Sequence, residues 1–126
     1  MLFRSNDTTI GWYRSLDAAT QHHVRHTLGV ADGDERAVLE ALLTTVLQSP
    51  AALAIIPLQD FLALGSEARM NTPGEIEGCW QWSFQWQQLD QAELVNSISR
   101  MIKGSERVAI AWGEDPTLRD ETATQP

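Results

Sequence analysis

The feature that most constrains the fold is a run of eight apolar or proline residues, AALAIIPL, at positions 51–58. Such a run is typical of a strand buried on both faces of a parallel sheet, although periodicity alone leaves a buried helix open. A strand of this kind needs partners for its backbone groups, and the sequence offers no confident second strand. We therefore expect the chain to be mostly α with one or two short strands.

Two helices are predicted before this run. The clearer one covers residues 35–48, where apolar residues recur at spacings of three and four. Asp32 or Asp34 is the expected N-cap of that helix. The other runs from about Asp17 to Leu28 and ends at Gly29. The first 14 residues are expected to be irregular.

A third helix is predicted after the run, in LDQAELVNSISRMIKG, with Gly104 as its C-cap. Asp90 and Glu93 at its start resemble a capping box. A single helical turn capped by Asp60 is expected between the apolar run and Gly65. RVAIAW, near the C-terminus, fits either a strand or another helical turn, and the polar residues beyond it are expected to fray.

Charge and composition exclude several classes of function. The net charge of −8 argues against a nucleic-acid partner, because phosphate binding needs clustered Lys and Arg. No stretch approaches the roughly 20 apolar residues of a membrane span, and the N-terminus does not resemble a signal peptide. The one cysteine, Cys79, cannot form an internal disulfide. Together these features fit a soluble cytoplasmic protein.

No metal site or cofactor is expected. His22 and His26 lie four residues apart on a predicted helix and could hold a metal by spacing alone. A solvated helix face is favoured, because no Cys, Asp or Glu joins them at ligand spacing. Cys79 lacks an adjacent base or helix N-terminus and is expected to be a bystander.

The segment 65–80, GSEARMNTPGEIEGCW, has neither helical nor strand periodicity. Its glycines let the backbone approach a ligand closely, its polar side chains suit sugar hydroxyls, and Trp80 offers a face to a pyranose ring. The alternative is a loop that only covers its own domain, and the residues alone favour neither. The aromatic residues that alternate from Trp80 to Trp86 could stack on sugars, but core or interface packing is favoured on composition.

Two stretches, NDTTIGWYRSL and LGSEARMNTPGEIEGCWQW, resemble C-terminal segments of the 4-alpha-glucanotransferases, the amylomaltase or disproportionating-enzyme family. The resemblance extends over about Asn6 to Lys103. It implies that residues 1–104 form a C-terminal segment of the family's catalytic barrel and that residues 105–126 are an extra tail.

The family fold is a (β/α)8 (TIM) barrel, which takes roughly 250 residues, so 126 residues correspond only to its C-terminal portion. By this resemblance, residues 51–58 match the final barrel strand. The segment 65–80 then lies on the C-terminal face of the barrel, where the active sites of such barrels are found.

The resemblance also implies a retaining transfer of α-1,4-glucan segments between maltodextrins, which needs two carboxylates about 5 Å apart. In the family both lie upstream of anything matched here. A third aspartate, which stabilises the transition state, falls at Ser5, and the preceding histidine falls at Arg4. No catalytic residue is therefore expected in this chain, which should be inactive alone.

Substrate-binding positions of the family pattern are retained in part. Two departures weaken the pattern: Cys79 replaces an asparagine and Ser83 replaces an arginine. The predicted glucan-contact residues are Asp7, Arg69, Asn71, Glu77 and Trp80.

The expected identity is a 4-alpha-glucanotransferase segment from a truncated or split gene. A non-catalytic module that binds maltodextrin or another protein is the alternative, as is a barrel completed by another chain. The apolar run would leave open strand edges, which predicts a homodimer or soluble aggregate with residues 54–58 at the contact.

Overall fold

The computed structural model describes residues 6–31 and 34–105. Within these ranges the chain forms helices and 3₁₀ turns, so the expectation of a mostly helical protein is confirmed. The helices are α1 (Thr9–Ser15), α2 (Ala18–Leu28), α3 (Glu35–Gln48), α4 (Leu58–Phe61) and α5 (Ala92–Gly104), and the 3₁₀ turns are Ser66–Ala68 and Trp86–Gln88. None of the described helices combines the length and apolarity of a membrane crossing.

The α2 and α3 helices begin and end where the sequence predicts. Asp17 caps α2 by accepting a hydrogen bond from the Thr20 backbone N–H, and hydrogen bonds from Thr20 hold the pKa of Asp17 below its ordinary value. Gly29 ends α2 with a φ of 66°, a left-handed conformation that glycine adopts without strain. Asp34 caps α3 through the backbone N–H groups of Arg36 and Ala37.

The α1 helix was not expected, and the prediction of an irregular segment there is wrong. Thr8 begins the helix, because its hydroxyl accepts a hydrogen bond from the Gly11 backbone N–H at 3.1 Å. Ile10 and Tyr13 on α1 are buried. A side-chain cap and tertiary burial therefore stabilise a helix too short to show a clear apolar period.

The core lies around α3, which contacts α1, α2 and α5. Ile10, Leu39 and Leu43 form its buried centre. Partly buried apolar residues pack against them, namely Ile56, Phe61, Ala63 and Met101. The core therefore holds the start of the chain against the segment that leads into α4.

The predicted strand at residues 51–58 is wrong: no strand occurs in residues 6–31 and 34–105. Leu53 and Ile55 are 74% and 64% exposed, while Ile56 packs on the core. A strand takes its hydrogen bonds from a neighbour, and the described residues supply none for this run. The aromatic residues from Trp80 to Trp86, for which the composition favours core or interface packing, are not in the core: Trp80, Phe84 and Trp86 are 53%, 37% and 73% exposed.

Two predicted helix starts are also wrong. Asp60 is not a cap but lies within α4, whose N-cap is Pro57. The proposed capping box of Asp90 and Glu93 does not form, because α5 begins at Ala92 after Gln91, which makes no side-chain capping bond. Gly104 is the last residue of α5 rather than its cap. RVAIAW and the polar tail lie outside the described residues.

Candidate functional site

Asp7, immediately before α1, meets the start of the 65–80 segment. Its Oδ1 accepts a hydrogen bond from the Thr8 backbone N–H at 2.8 Å, and its Oδ2 accepts one from the Ser66 hydroxyl at 2.8 Å, across 59 residues of sequence. Arg69 Nη1 lies 3.8 Å from the same Oδ2. The structure therefore brings together two predicted glucan-contact residues, Asp7 and Arg69, and adds Ser66, which the sequence did not single out.

Gly11 makes this approach possible. A Cβ atom at Gly11 would lie 2.6 Å from Asp7 Oδ1 and closer still to the Ser66 hydroxyl, which is nearer than van der Waals contact allows. Any side chain at this position would push Ser66 and Asp7 away from α1. A glycine inside a helix can indicate that another part of the chain packs closely against that helix, but the sequence does not show which part.

Arg69 connects Asp7 to the next predicted residue, Asn71. Its Nε donates a hydrogen bond to the Asn71 backbone carbonyl at 2.9 Å. The neighbouring Met70 carbonyl accepts the backbone N–H of Trp80 at 2.6 Å, which brings the end of the segment back to its middle. Trp80 is 53% exposed, so its ring offers a face to solvent.

Glu77, the fifth predicted residue, lies apart from this connected set. It is exposed on the outer part of the segment, next to Gly78, which has a φ of 77°. Cys79 lies nearby, with its Sγ 3.7 Å from the Glu75 carbonyl. The prediction for Glu77 therefore gains no support from contacts with the other four.

An open groove of about 740 Å³ lies beside Asp7 and Arg69. Asp60 also lines it, and its Oδ1 accepts a hydrogen bond from the Thr9 backbone N–H at 2.7 Å. Apolar side chains also line the groove, among them Trp12 and Ile55. The groove thus combines an aromatic ring and aliphatic surface with two carboxylates and a guanidinium, a mixture typical of small-molecule sites.

The start of the 65–80 segment also contacts α1 through Arg14. Arg14 on α1 makes a two-point ion pair with Glu35 on α3, at 2.9 and 2.6 Å. The hydrogen bond from Arg14 holds the pKa of Glu35 below its ordinary value. A Cβ at Gly65 would lie 2.8 Å from Arg14 Nη1, and Glu67 accepts the Gly65 backbone N–H at 2.8 Å. Gly65 therefore packs directly against the charged end of α1.

The histidines lie where a solvated face would place them. His22, His23 and His26 are exposed on α2. Within the part of the chain that the structure describes, no group of three or more His, Cys, Asp or Glu residues could hold a metal ion. Arg4 and Ser5, at the family's histidine and aspartate positions, lie outside the described residues.

Comparison with known proteins supports the resemblance read from the two motifs. A sequence profile described as 4-alpha-glucanotransferase matches residues 4–90. A 4-alpha-glucanotransferase of Thermus thermophilus is 45% identical over 80 residues, which are 61% of this chain and 16% of that protein. One from Synechocystis is 41% identical over 85 residues, 68% of this chain and 16% of that protein.

A solved structure has the same fold over most of the chain. The amylomaltase from Streptococcus agalactiae in complex with acarbose superimposes with a TM-score of 0.74 at 20% identity. The match covers 82% of this chain and 20% of that one. The chain thus spans about a sixth of the length of the curated relatives it matches.

Proposed function

Because this chain belongs to the 4-alpha-glucanotransferase family, we propose that it forms part of the glucan-binding wall of such an enzyme. The enzyme class transfers α-1,4-glucan segments between maltodextrins. The residues described here correspond to the C-terminal portion of the (β/α)8 barrel, with the 65–80 segment at the substrate. The transfer reaction itself needs the larger part of the barrel that these 126 residues do not span.

The observation that carries this proposal is the contact between the two motifs through Asp7. NDTT and LGSEARMN are far apart in sequence, yet Ser66 and Arg69 both meet the Asp7 carboxylate. Polar side chains from separate loops converge at the active sites of barrels. The convergence here lies on the rim of an open groove, as a sugar-binding wall requires.

Each of the five residues has a role that suits a glucan. Arg69 and Asn71 donate hydrogen bonds to sugar oxygens, and Trp80 presents a ring face to the apolar side of a glucose unit. Asp7 orients Arg69 and accepts hydrogen bonds from sugar hydroxyls with the part of its carboxylate that stays accessible. Glu77, on the outer part of the segment, contacts only a maltodextrin that is long enough to extend beyond Trp80.

The carboxylates on the groove are suited to binding rather than to glycosyl transfer. Retaining transfer needs a nucleophile and an acid/base carboxyl about 5 Å apart and available to the substrate. Asp7 is occupied by Thr8, Ser66 and Arg69, and Asp60 by the start of α1. With Ser5 at the third aspartate's position, we propose that this chain alone binds maltodextrin and does not transfer it.

Calorimetric titration with maltoheptaose tests the binding. The wild-type chain is expected to bind, and Arg69→Ala to bind at least tenfold more weakly, since it loses charge-assisted hydrogen bonds. Arg36→Ala is the matched control, because Arg36 makes an exposed pair with Glu40 on α3 at 3.5 Å. Equal affinity of Arg69→Ala and Arg36→Ala, or no binding by the wild type, contradicts the proposal.

Incubation with maltotriose tests the absence of transfer. The purified chain is expected to release no glucose and to form no maltodextrin longer than maltotriose. A preparation carrying Arg69→Ala controls for contaminating enzymes. Disproportionation by the wild type that this variant abolishes contradicts the proposal.

The exposed apolar run at residues 51–58 supports a proposal about partners. Leu53 and Ile55 are exposed, and Ile55 also lines the groove. We propose that a second copy or a complementing barrel chain covers this run, since its burial is favourable by roughly 25 cal/mol per Å². Sedimentation of the wild type and of Ile55→Lys, compared at the same concentrations, tests the homodimer. A wild type that stays monomeric at high micromolar concentration excludes the homodimer.

A cytoplasmic location is the remaining proposal, and it rests on composition. The chain is acidic, with a net charge of −8, and has one cysteine. A relative in Arabidopsis thaliana is described as chloroplastic/amyloplastic, which is the alternative location. Fractionation of source cells with an antibody against the chain tests this assignment.

A further inference from the structure

Ser66 and Gly11 have no role in the proposed glucan contacts, yet both meet Asp7. We infer that Ser66 is a positioning residue, which can approach α1 closely because position 11 is a glycine. Ser66 fixes the Asp7 carboxylate and thereby the guanidinium of Arg69 at the groove. The inference deepens the proposed function and rests on it for the ligand, a maltodextrin. The position of Arg69 can be measured without any ligand.

The Asp7 carboxylate is fixed from two sides. Oδ1 accepts the Thr8 backbone N–H and Oδ2 accepts the Ser66 hydroxyl, each at 2.8 Å. A carboxylate held at both oxygens cannot rotate without breaking one bond. Asp7 is therefore a fixed anchor.

Arg69 takes its position from this anchor. Its Nη1 lies 3.8 Å from Oδ2, the same oxygen that Ser66 engages. Its Nε donates to the Asn71 carbonyl. The guanidinium is thus held at two of its nitrogens, and its planar donors reach the groove in one orientation. Without the Ser66 hydroxyl, Oδ2 loses this hydrogen bond and can turn away from Arg69 Nη1, which loosens the hold of Asp7 on the guanidinium.

Gly11 sets how closely Ser66 and Asp7 can approach α1. An added Cβ would meet both side chains, at 2.6 Å from Asp7 Oδ1. Both contacts are with side-chain atoms, so the overlap is relieved most readily by a shift of the Asp7 and Ser66 side chains. A methyl group at position 11 therefore acts on Arg69 through Asp7, without contacting Arg69 itself.

The experiment uses the full 126-residue chain and two readouts. The first is the ¹H–¹⁵N signal of Arg69 Nε–H and its hydrogen exchange, recorded without ligand. The second is the affinity for maltoheptaose. Ser66→Ala removes the hydroxyl and Ser66→Thr keeps it. Thr45→Ala is the control, since the exposed Thr45 donates its hydroxyl to the Ala41 carbonyl within α3.

Ser66→Ala is expected to shift the Arg69 Nε–H signal, to speed its exchange, and to weaken maltoheptaose binding roughly tenfold. Ser66→Thr is expected to keep the wild-type Arg69 signal and the wild-type affinity for maltoheptaose. Thr45→Ala is expected to change neither the signal nor the affinity. An unchanged Arg69 signal in folded Ser66→Ala overturns the inference. If the wild type does not bind maltoheptaose, the proposed function fails, while the Arg69 signal still decides the positioning role.

Gly11→Ala provides a second route if Ser66→Ala does not fold. It is expected to displace the same Arg69 signal and to weaken binding, whereas Gly104→Ala, at a helical glycine with open space around it, leaves both unchanged. In a double-mutant cycle, Gly11→Ala and Ser66→Ala act on one contact, so their effects are expected to be less than additive. Independent, additive effects overturn the inference.

Discussion

The two halves of the 65–80 segment differ in what holds them. The inner half, Gly65–Asn71, is bonded to the rest of the fold: Ser66 and Arg69 meet Asp7, and Gln59 donates to the carbonyl of the buried Ala68. The outer half, residues 73–80, is exposed apart from the half-buried Cys79, and its Ile76 is 98% accessible. Its course follows from Gly74 and Gly78, both with positive φ.

This difference indicates a division of labour. A binding group that is already held in place loses little freedom when ligand arrives, so the inner half suits recognition of one glucose unit. An exposed outer half suits contact with a longer chain or with other parts of a barrel. Changes to the inner half or its supports should therefore affect stability and binding more than changes to the outer half.

The largest effect is expected from the core that supports the inner half. Leu43→Ala removes a buried side chain that packs with Ile10 and Phe61, and should lower the free energy of unfolding by about 2–5 kcal/mol. Ile76→Ala, the same kind of truncation in the outer half, should change it by less than about 0.5 kcal/mol. Urea unfolding followed by far-ultraviolet circular dichroism measures both, and equal losses contradict the comparison.

A smaller effect is expected from the outer glycines. Gly78→Ala forces a residue with a Cβ into a φ of 77°, which should cost about 1–2 kcal/mol locally. Because no atom lies within 4 Å of the added Cβ, the cost comes from backbone strain alone. Gly104→Ala, in α5, is the control and should be neutral or stabilising. Urea unfolding separates the two, and a neutral Gly78→Ala would show that the outer half readily changes its backbone.

The smallest effect concerns pH and the ion pair beside Gly65. Arg14 lowers the folded-state pKa of Glu35, so the pair stabilises the fold above the ordinary glutamate pKa. That contribution is lost as the pH falls through the lowered value. The side chains are exposed, so the contribution is modest.

Unfolding of wild type and Glu35→Gln at pH 7 and pH 3 measures this contribution. The wild type should be the more stable at pH 7, and the difference should shrink at pH 3. Glu40→Gln is the control, since Glu40 pairs with Arg36 on its own helix. If the difference in free energy of unfolding between wild type and Glu35→Gln is the same at both pH values, the ion pair is excluded as its source.

The parts of the fold that the sequence predicted are those with local causes. The caps at Asp17, Gly29 and Asp34 act within a few residues, so α2 and α3 could be placed accurately. The run at residues 51–58 is apolar enough for a buried strand, but a strand depends on a neighbour outside the segment. The α1 helix depends on burial of Ile10 and Tyr13, which no short pattern shows.

The same distinction applies to the site. Asp7 and Arg69 were predicted because each lies in a motif with a family resemblance, and the resemblance itself is confirmed. Ser66 and Gly11 were missed, because their contact joins positions far apart in sequence. Only the folded chain places a helical glycine against a loop serine, so the positioning of Asp7 could not be predicted from spacing.

The most direct test of the account is a map of where a glucan binds. Titration of the ¹⁵N-labelled chain with maltoheptaose should shift the backbone signals of residues 7–9 and 65–71 first and most strongly. The signal of Trp80, whose ring is proposed to stack on a glucose unit, should shift with them. Signals of residues 73–79 should follow only weakly, and those of α2, which does not line the groove, should not move. Shifts confined to α2 or to residues 73–80, with Asp7 and Arg69 unaffected, would contradict the account.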